Sequence, residues 1–195
     1  LECAEIDFIE KSYDKVSMRC IAKELNIAVG TLYNYYSNKT ELFFKVFEYS
    51  WKKTFSSLET IINSTEASEI KLKLYLEFLY DEIMRRKGLA HEIFKIEGIF
   101  SSDNLNEENI IKKHKNIVDN RLIKDINNLL IEIENKNNIS IDNKERNKLI
   151  ISIISSIFRL SRNYFNEKEE NTNFILNLIK AFYNFKIVNK KNQEV

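Results

Sequence analysis

The sequence predicts an all-α protein, with a small three-helix domain at the N-terminus and a larger helical domain after it. Two observations set the fold class. The 195 residues include no proline and only Gly30, Gly88 and Gly98, too little turn chemistry for a β-rich fold. Apolar residues recur at three- and four-residue spacing through long segments separated by short polar breaks. A third observation bounds function: the formal net charge is +1, so the chain is no generic polyanion binder, and any nucleic-acid contact has to be local and shaped.

Residues 1–12 read as the tail of a first helix, with Ala4, Phe8 and Ile9 on one stripe. Residues 16–42 (VSMRCIAKELNIAVGTLYNYYSNKTEL) then read as two short helices at a sharp angle and the start of a third. Ser17 can cap the first of them, satisfying a backbone N–H that the opening turn leaves unpaired. Ile21, Ala22 and Leu25 share one face. Asn26 tolerates the left-handed conformation of a helix stop, and Ile27 can fill the corner behind it. The next helix runs over about 29–36 with Leu32 facing inward. This is the spacing of a helix-turn-helix, whose second helix enters the DNA major groove.

The following helix, about 39–63, has an inner face of Leu42, Phe43, Val46, Phe47, Ser50, Trp51, Thr54, Phe55, Leu58, Ile61 and Ile62. Its first half closes the small core and its second half enters another, so it links a domain over 1–45 to one over 46–195. A helix over about 66–86 is apolar on more than one stripe, a short one is expected over 89–100, and a long one over about 106–134. A polar break at 136–141 leads to Asp142, a good N-cap. Two last helices, about 143–164 and 169–187, carry wide arcs of β-branched and aromatic residues. These arcs read as plain core, or as a self-complementary surface through Ile153, Ile157, Leu160, Ile175, Leu178, Ile179 and Phe182, two helices from each of two subunits.

The segment MRCIAKELNIAVGTLYNYYSNKTEL resembles the DNA-binding part of the TetR (tetracycline-repressor-like) family of bacterial regulators. The run GTLYNYYSNKTEL is its most specific portion, and FIEKSYDKVSM before it resembles the end of that family's first helix. The likeness covers roughly the first 50 residues; beyond them it is one of length and helical pattern. Three departures stand out. Ser12 and Asn26 occupy positions where Gly is usual, and Ala28 stands where a capping Ser is usual, forgoing a bond worth about 1 kcal/mol.

The resemblance implies DNA contacts at Val29, Gly30, Thr31, Tyr33, Asn34, Tyr35 and Lys39. The chemistry agrees. Gly30 allows close approach to the DNA backbone, Thr31 and Val29 suit a thymine methyl, and Asn34 can pair with adenine through two hydrogen bonds. Lys39 brings an ammonium to a helix start, where phosphate is favoured. Arg19 and Lys23 lie on the helix that crosses the backbone. An acidic excess in the first 50 residues, and the absence of Lys or Arg between Leu25 and Asn38, leave a weak charge footprint. Leu1 rather than Met opens the sequence, so basic residues preceding it are expected to contribute.

The resemblance also implies a homodimer on a palindromic double-stranded operator, and an apolar pocket for a small-molecule effector. Candidates for its lining are Trp51, Phe55, Tyr75, Phe78, Phe94 and His114, although such stripes are also what ordinary core looks like. The expected activity is that of a ligand-responsive transcriptional regulator, a repressor released by its effector. The alternative is an effector-independent DNA-binding structural or cell-cycle factor on the same fold. No catalytic constellation, phosphate loop or metal-ligand spacing can be placed, so neither an enzyme, a cofactor nor a metal is expected. Cys3 and Cys20 read as buried small apolar residues. The absence of an apolar run long enough to span a bilayer, or of a signal peptide, predicts a cytoplasmic protein without membrane contact.

Overall fold

The computed structural model describes residues 1–86 and 105–193, with the side chains of Ser12, residues 105–115 and residues 189–193 outside that description. The fold is all-α. Among the described residues there are eight helices and no strand: α1 (Glu2–Lys15), α2 (Met18–Glu24), α3 (Val29–Tyr35), α4 (Lys39–Ile62), α5 (Ser68–Arg85), α6 (Leu105–Lys136), α7 (Asn143–Asn163) and α8 (Lys168–Gln193). The short helix expected over 89–100 lies outside the described residues. Two compact units emerge, one of Leu1–Ser56 with Arg85–Val118 and one of Ser57–Met84 with Asp119–Val195.

In the first unit, Ala4 and Phe8 of α1, Met18, Ile21 and Ala22 of α2, Leu32 of α3, and Leu42, Phe43, Val46 and Phe47 of α4 are all buried. Phe8 meets Phe43 edge-on at 5.1 Å, and Tyr13 meets the same ring at 5.2 Å, a geometry aromatic quadrupoles favour. Leu25 departs from expectation. It is 43% exposed, because it is the last residue of the α2 turn rather than part of its inner face. Ile27 is also largely open. The cysteines depart too. Cys20 is exposed, and half-buried Cys3 donates its thiol to Glu24 at 3.3 Å. Burial, and then the Glu24 carboxylate, push that thiol's pKa up.

Behind α4 the first unit holds a buried polar chain. Ser50 donates its hydroxyl to Glu5 at 2.5 Å, and the guanidinium of Arg86 donates to the Ser50 hydroxyl, to its main-chain carbonyl at 2.8 Å, and to Thr54. Arg86 also lies over the Trp51 ring at 5.0 Å. Nothing in the sequence marked Arg86 as an interior residue.

In the second unit, α5 buries Leu72, Tyr75, Leu76, Leu79, Tyr80 and Ile83, but leaves Ile70 and Leu74 open, so it is less uniformly apolar in its surroundings than expected. On α6, of the stripe Ile110, Ile117, Leu122, Ile126, Leu129 and Ile133 expected from periodicity, the last four are buried, Ile117 is 49% exposed, and the side chain of Ile110 lies outside the description. That helix stops at Asn138, whose φ of 54° puts it in the left-handed region, with Ile139 N–H returning to Glu134 O at 2.9 Å. Asp142 caps α7 as expected, accepting from the N–H groups of Lys144 and Glu145. A buried ion pair joins α6 to α7: Arg146 meets Glu134 through two nitrogens, at 2.8 and 2.6 Å, and Tyr183 of α8 donates to the same carboxylate at 3.1 Å. Tyr80 and Asn171 both donate to the carbonyl of Tyr164, each at 2.8 Å, pinning the α7–α8 connection. No helix among the described residues is long and apolar enough to cross a membrane.

Candidate nucleic-acid interface

The corner between α2 and α3 is built from main-chain hydrogen bonds. Ser17 caps α2 by accepting from Cys20 N–H at 3.1 Å. At the other end Asn26 has φ 54°, its N–H reaches Lys23 O at 3.1 Å, and Ile27 N–H reaches back to Ala22 O at 2.9 Å. This is the paired closure of a Schellman stop, with Asn doing what Gly usually does. Ala28 then opens α3 with no side-chain cap.

On α3, Leu32 alone is buried and so anchors the helix. Tyr33 is 50% exposed and Tyr35 74%, Thr31 and Asn34 are exposed, and Val29 is half-buried. A Cβ added at Gly30 would meet nothing within 4 Å, so the start of the helix is open to close approach. Among the described residues, no side-chain hydrogen bond engages Thr31, Tyr33, Asn34 or Tyr35. These groups are therefore available to a partner. Tyr36 is half-buried, at the extended residue that ends the helix.

The flanking cations differ. Arg19 and Lys23 are exposed. Lys39 is not a loose phosphate hook: its ammonium donates to Tyr13 O at 3.0 Å and sits 4.1 Å above the Tyr13 ring. That carbonyl belongs to the last turn of α1, where it also accepts from Val16 N–H at 3.3 Å and where a cation is favoured. The Tyr13 hydroxyl and Thr40 hydroxyl are 2.9 Å apart, adding a second tie between α1 and the start of α4. The α4 start is itself capped. Asn38 Oδ1 accepts from Glu41 N–H at 2.8 Å, and the Glu41 carboxylate accepts from Ser37 N–H at 2.7 Å. The Ser37 hydroxyl, which donates to the same carboxylate at 2.7 Å, and then the Ser37 N–H hold the Glu41 carboxyl below its ordinary pKa. Tyr13 is thus a positioning residue that the sequence reading passed over; its aromatic ring at the end of α1 was the available signal.

The expected effector-lining residues divide between the two units. Trp51 is buried and Phe55 half-buried in the first unit, with rings 5.4 Å apart. Tyr75 and Phe78 belong to the second unit, where buried Tyr75 donates to Asp125 at 3.3 Å and Phe78 is half-buried. Burial, and then the Asp125 charge, push the Tyr75 pKa well up. Phe94 and the side chain of His114 lie outside the described residues.

Of the seven residues expected to meet a second subunit, Ile153, Ile157, Ile175 and Ile179 are buried within the chain itself and pack its own core. An inner face and an outer face of one helix are equally apolar here. Leu160 and Phe182 are half-buried and Leu178 is open. On α8, Phe174 (54%), Leu178, Phe185 (63%) and Val188 are exposed and recur at helical spacing along one side, Ile187 is exposed off that stripe, and Ile151 is open on α7.

Comparison with known proteins bears on this arrangement. The model of the family described as "Bacterial regulatory proteins, tetR family" matches residues 1–46. The chain is 30% identical over 80 residues to the uncharacterized HTH-type transcriptional regulator YuxN of Bacillus subtilis (strain 168), an alignment covering 41% of this chain and 28% of that protein. It is 30% identical over 90 residues to the HTH-type transcriptional regulator SAB2452 of Staphylococcus aureus (strain bovine RF122 / ET3-1), covering 46% and 49%. The chain thus spans half or less of the length of these curated relatives. Among solved structures it is similar in fold to the transcriptional regulator FadR from Bacillus subtilis in complex with stearoyl-CoA, at TM-score 0.65 and 19% identity over 91% of this chain and 94% of that one.

Proposed function

We propose that this chain, whose residues 1–46 match the model of the tetR family of bacterial regulatory proteins, is a ligand-responsive repressor of that family that binds a palindromic operator as a homodimer in the cytoplasm. The observation that carries the DNA-reading part is the open face of α3: Thr31, Tyr33, Asn34 and Tyr35 project from a helix fixed by the Asn26 stop and by buried Leu32. Gly30 admits the phosphate backbone, and Arg19, Lys23 and Lys39 supply backbone contacts. The dimer rests on the Phe174, Leu178, Phe185 and Val188 stripe, because a helix-turn-helix reader of this kind spans two half-sites. For the effector, a long-chain acyl-CoA is the first ligand to try, since the FadR of similar fold was solved with one.

Selection of bound duplexes from a random pool, repeated with and without stearoyl-CoA, tests the whole reading. The expected result is an inverted repeat whose binding weakens when ligand is added. Enrichment of a repeat that no ligand alters favours the effector-independent factor. No enrichment at all overturns the DNA-reading function.

A further inference from the structure

We propose that α3 reads A·T base pairs through the major groove, with Asn34 on adenine and the Thr31 methyl and Val29 on thymine methyls; this rests on the DNA-reading function above. The argument is one of matching chemistry. In the major groove guanine presents two acceptors, O6 and N7, which a bidentate Arg or Lys satisfies, and cytosine presents an amino donor, which Asp or Glu satisfies. The helix Val29–Tyr35 reads VGTLYNY and contains none of these four residue types. Adenine presents a donor and an acceptor side by side, which only a group that both donates and accepts can meet in two bonds, as the Asn amide does. Thymine offers a methyl that apolar surface covers.

The surroundings of α3 support the assignment. Asn34 is exposed and, among the described residues, its amide makes no hydrogen bond, so its donor and acceptor are both free for a base edge. It follows Tyr33 on a helix whose backbone is held by its own ladder and by Tyr36 N–H to Leu32 O at 3.1 Å. The nearest cation after α3 in the chain, Lys39, already has its ammonium on Tyr13 O and over the Tyr13 ring. The hydroxyls of Thr31, Tyr33 and Tyr35 can bond either purine at N7 and so do not discriminate. Guanine opposite Asn34 would set its O6 acceptor against the amide oxygen and leave one of the two bonds unmade.

The test uses the full chain and duplexes selected from a random pool. We expect A·T pairs at the positions contacted in each half-site. Replacing such a pair by inosine·cytosine keeps the minor-groove pattern of A·T but presents guanine's major-groove edge; binding should fall roughly tenfold or more per position, the loss typical of one mismatched base contact. Uracil for thymine should weaken binding where Thr31 or Val29 covers the methyl. Asn34→Ala should flatten the preference at one position per half-site, and Asn34→Arg should turn it from adenine to guanine, with circular dichroism checking that both variants remain folded. Half-sites rich in G·C at the contacted positions, or unaltered binding to inosine·cytosine duplexes, overturn the inference while leaving the DNA-reading function standing. No sequence-specific enrichment overturns that function and the inference with it.

Discussion

Arg86 donates to the main-chain carbonyl of Ser50 at 2.8 Å from a side chain only 2% exposed, and Ser50 passes its own hydroxyl hydrogen to Glu5. A cation and a carboxylate thus meet across a serine rather than directly. Both charges are buried, and the intervening hydroxyl satisfies one lone pair and one N–H at once, as a buried ionic group requires. The arrangement ties α1 to α4 inside the unit that carries the reader.

Ser50→Ala should cost about 1–3 kcal/mol at neutral pH, because it removes the buried hydroxyl that bonds both the Glu5 carboxylate and the Arg86 Nε. The effect should depend on pH. Burial works to raise the Glu5 pKa, but the Ser50 and Arg85 hydrogen bonds and the nearby charges of Arg85 and Lys53 outweigh it, and the group sits below its ordinary 4.5. Glu5 therefore stabilises the fold above that ordinary value, and the contribution is lost as the pH falls through the lower folded value. Urea unfolding at pH 7 and at progressively more acidic pH should show the gap between wild type and variant narrowing as acid is added. A gap that widens would show that Ser50 does not hold Glu5 in its charged form.

Glu134→Ala should be among the most damaging substitutions in the second unit. It takes the carboxylate at 2.6 Å from the Arg146 guanidinium, leaving that buried charge only the neutral acceptors Asn143 and Ile141 O, and removes the acceptor of Tyr183. Breaking a buried pair from one side costs about 3–5 kcal/mol. Thermal and urea unfolding measure it, and a change under about 1 kcal/mol would mean that water reaches the site and screens the pair.

Ala28→Ser should raise stability by about 1 kcal/mol, since a hydroxyl there can take one of the free N–H groups that open α3. A higher melting temperature with unaltered base preference is the expected pair of results. A lower melting temperature would indicate that the extended backbone at Ala28 does not aim the hydroxyl correctly.

Lys39→Ala should weaken binding to all duplexes by a similar factor and reduce the slope of log affinity against log salt by about one. Because the ammonium also serves the last turn of α1 through Tyr13 O, the variant should lose protection against hydrogen exchange there even without DNA. Fluorescence anisotropy over a salt series and exchange mass spectrometry read the two effects separately.

Leu178→Glu together with Phe185→Glu should yield a monomer in sedimentation, while Ile179→Glu, at a residue buried within the chain, should fail to fold. A dimer that survives the double charge would place the self-association surface elsewhere.

The helices were legible in the sequence because their signals are local: Ser17 and Asp142 as caps, Asn26 as a left-handed stop, Leu32 as the anchor of α3. The reader was legible for the same reason, being a contiguous run. Less legible was the choice between two apolar sides of one helix. Ile175 and Ile179 lie inside and Phe174 and Leu178 outside, and periodicity gives the stripes without saying which one a neighbour covers. Leu25 was misplaced because a residue at the very end of a short helix follows the turn, not the face. Arg86 and Tyr13 were missed because an arginine's burial depends on partners distant in sequence, here Ser50 and Thr54, and a tyrosine's carbonyl carries no sequence signature at all.

The stop at Asn26 closes through main-chain atoms, Ile27 N–H on Ala22 O and Asn26 N–H on Lys23 O. The angle at which α3 leaves α2 is therefore independent of which side chains α3 presents. Exposed positions such as Asn34 and Tyr35 can therefore be exchanged without touching the main-chain bonds that orient the helix.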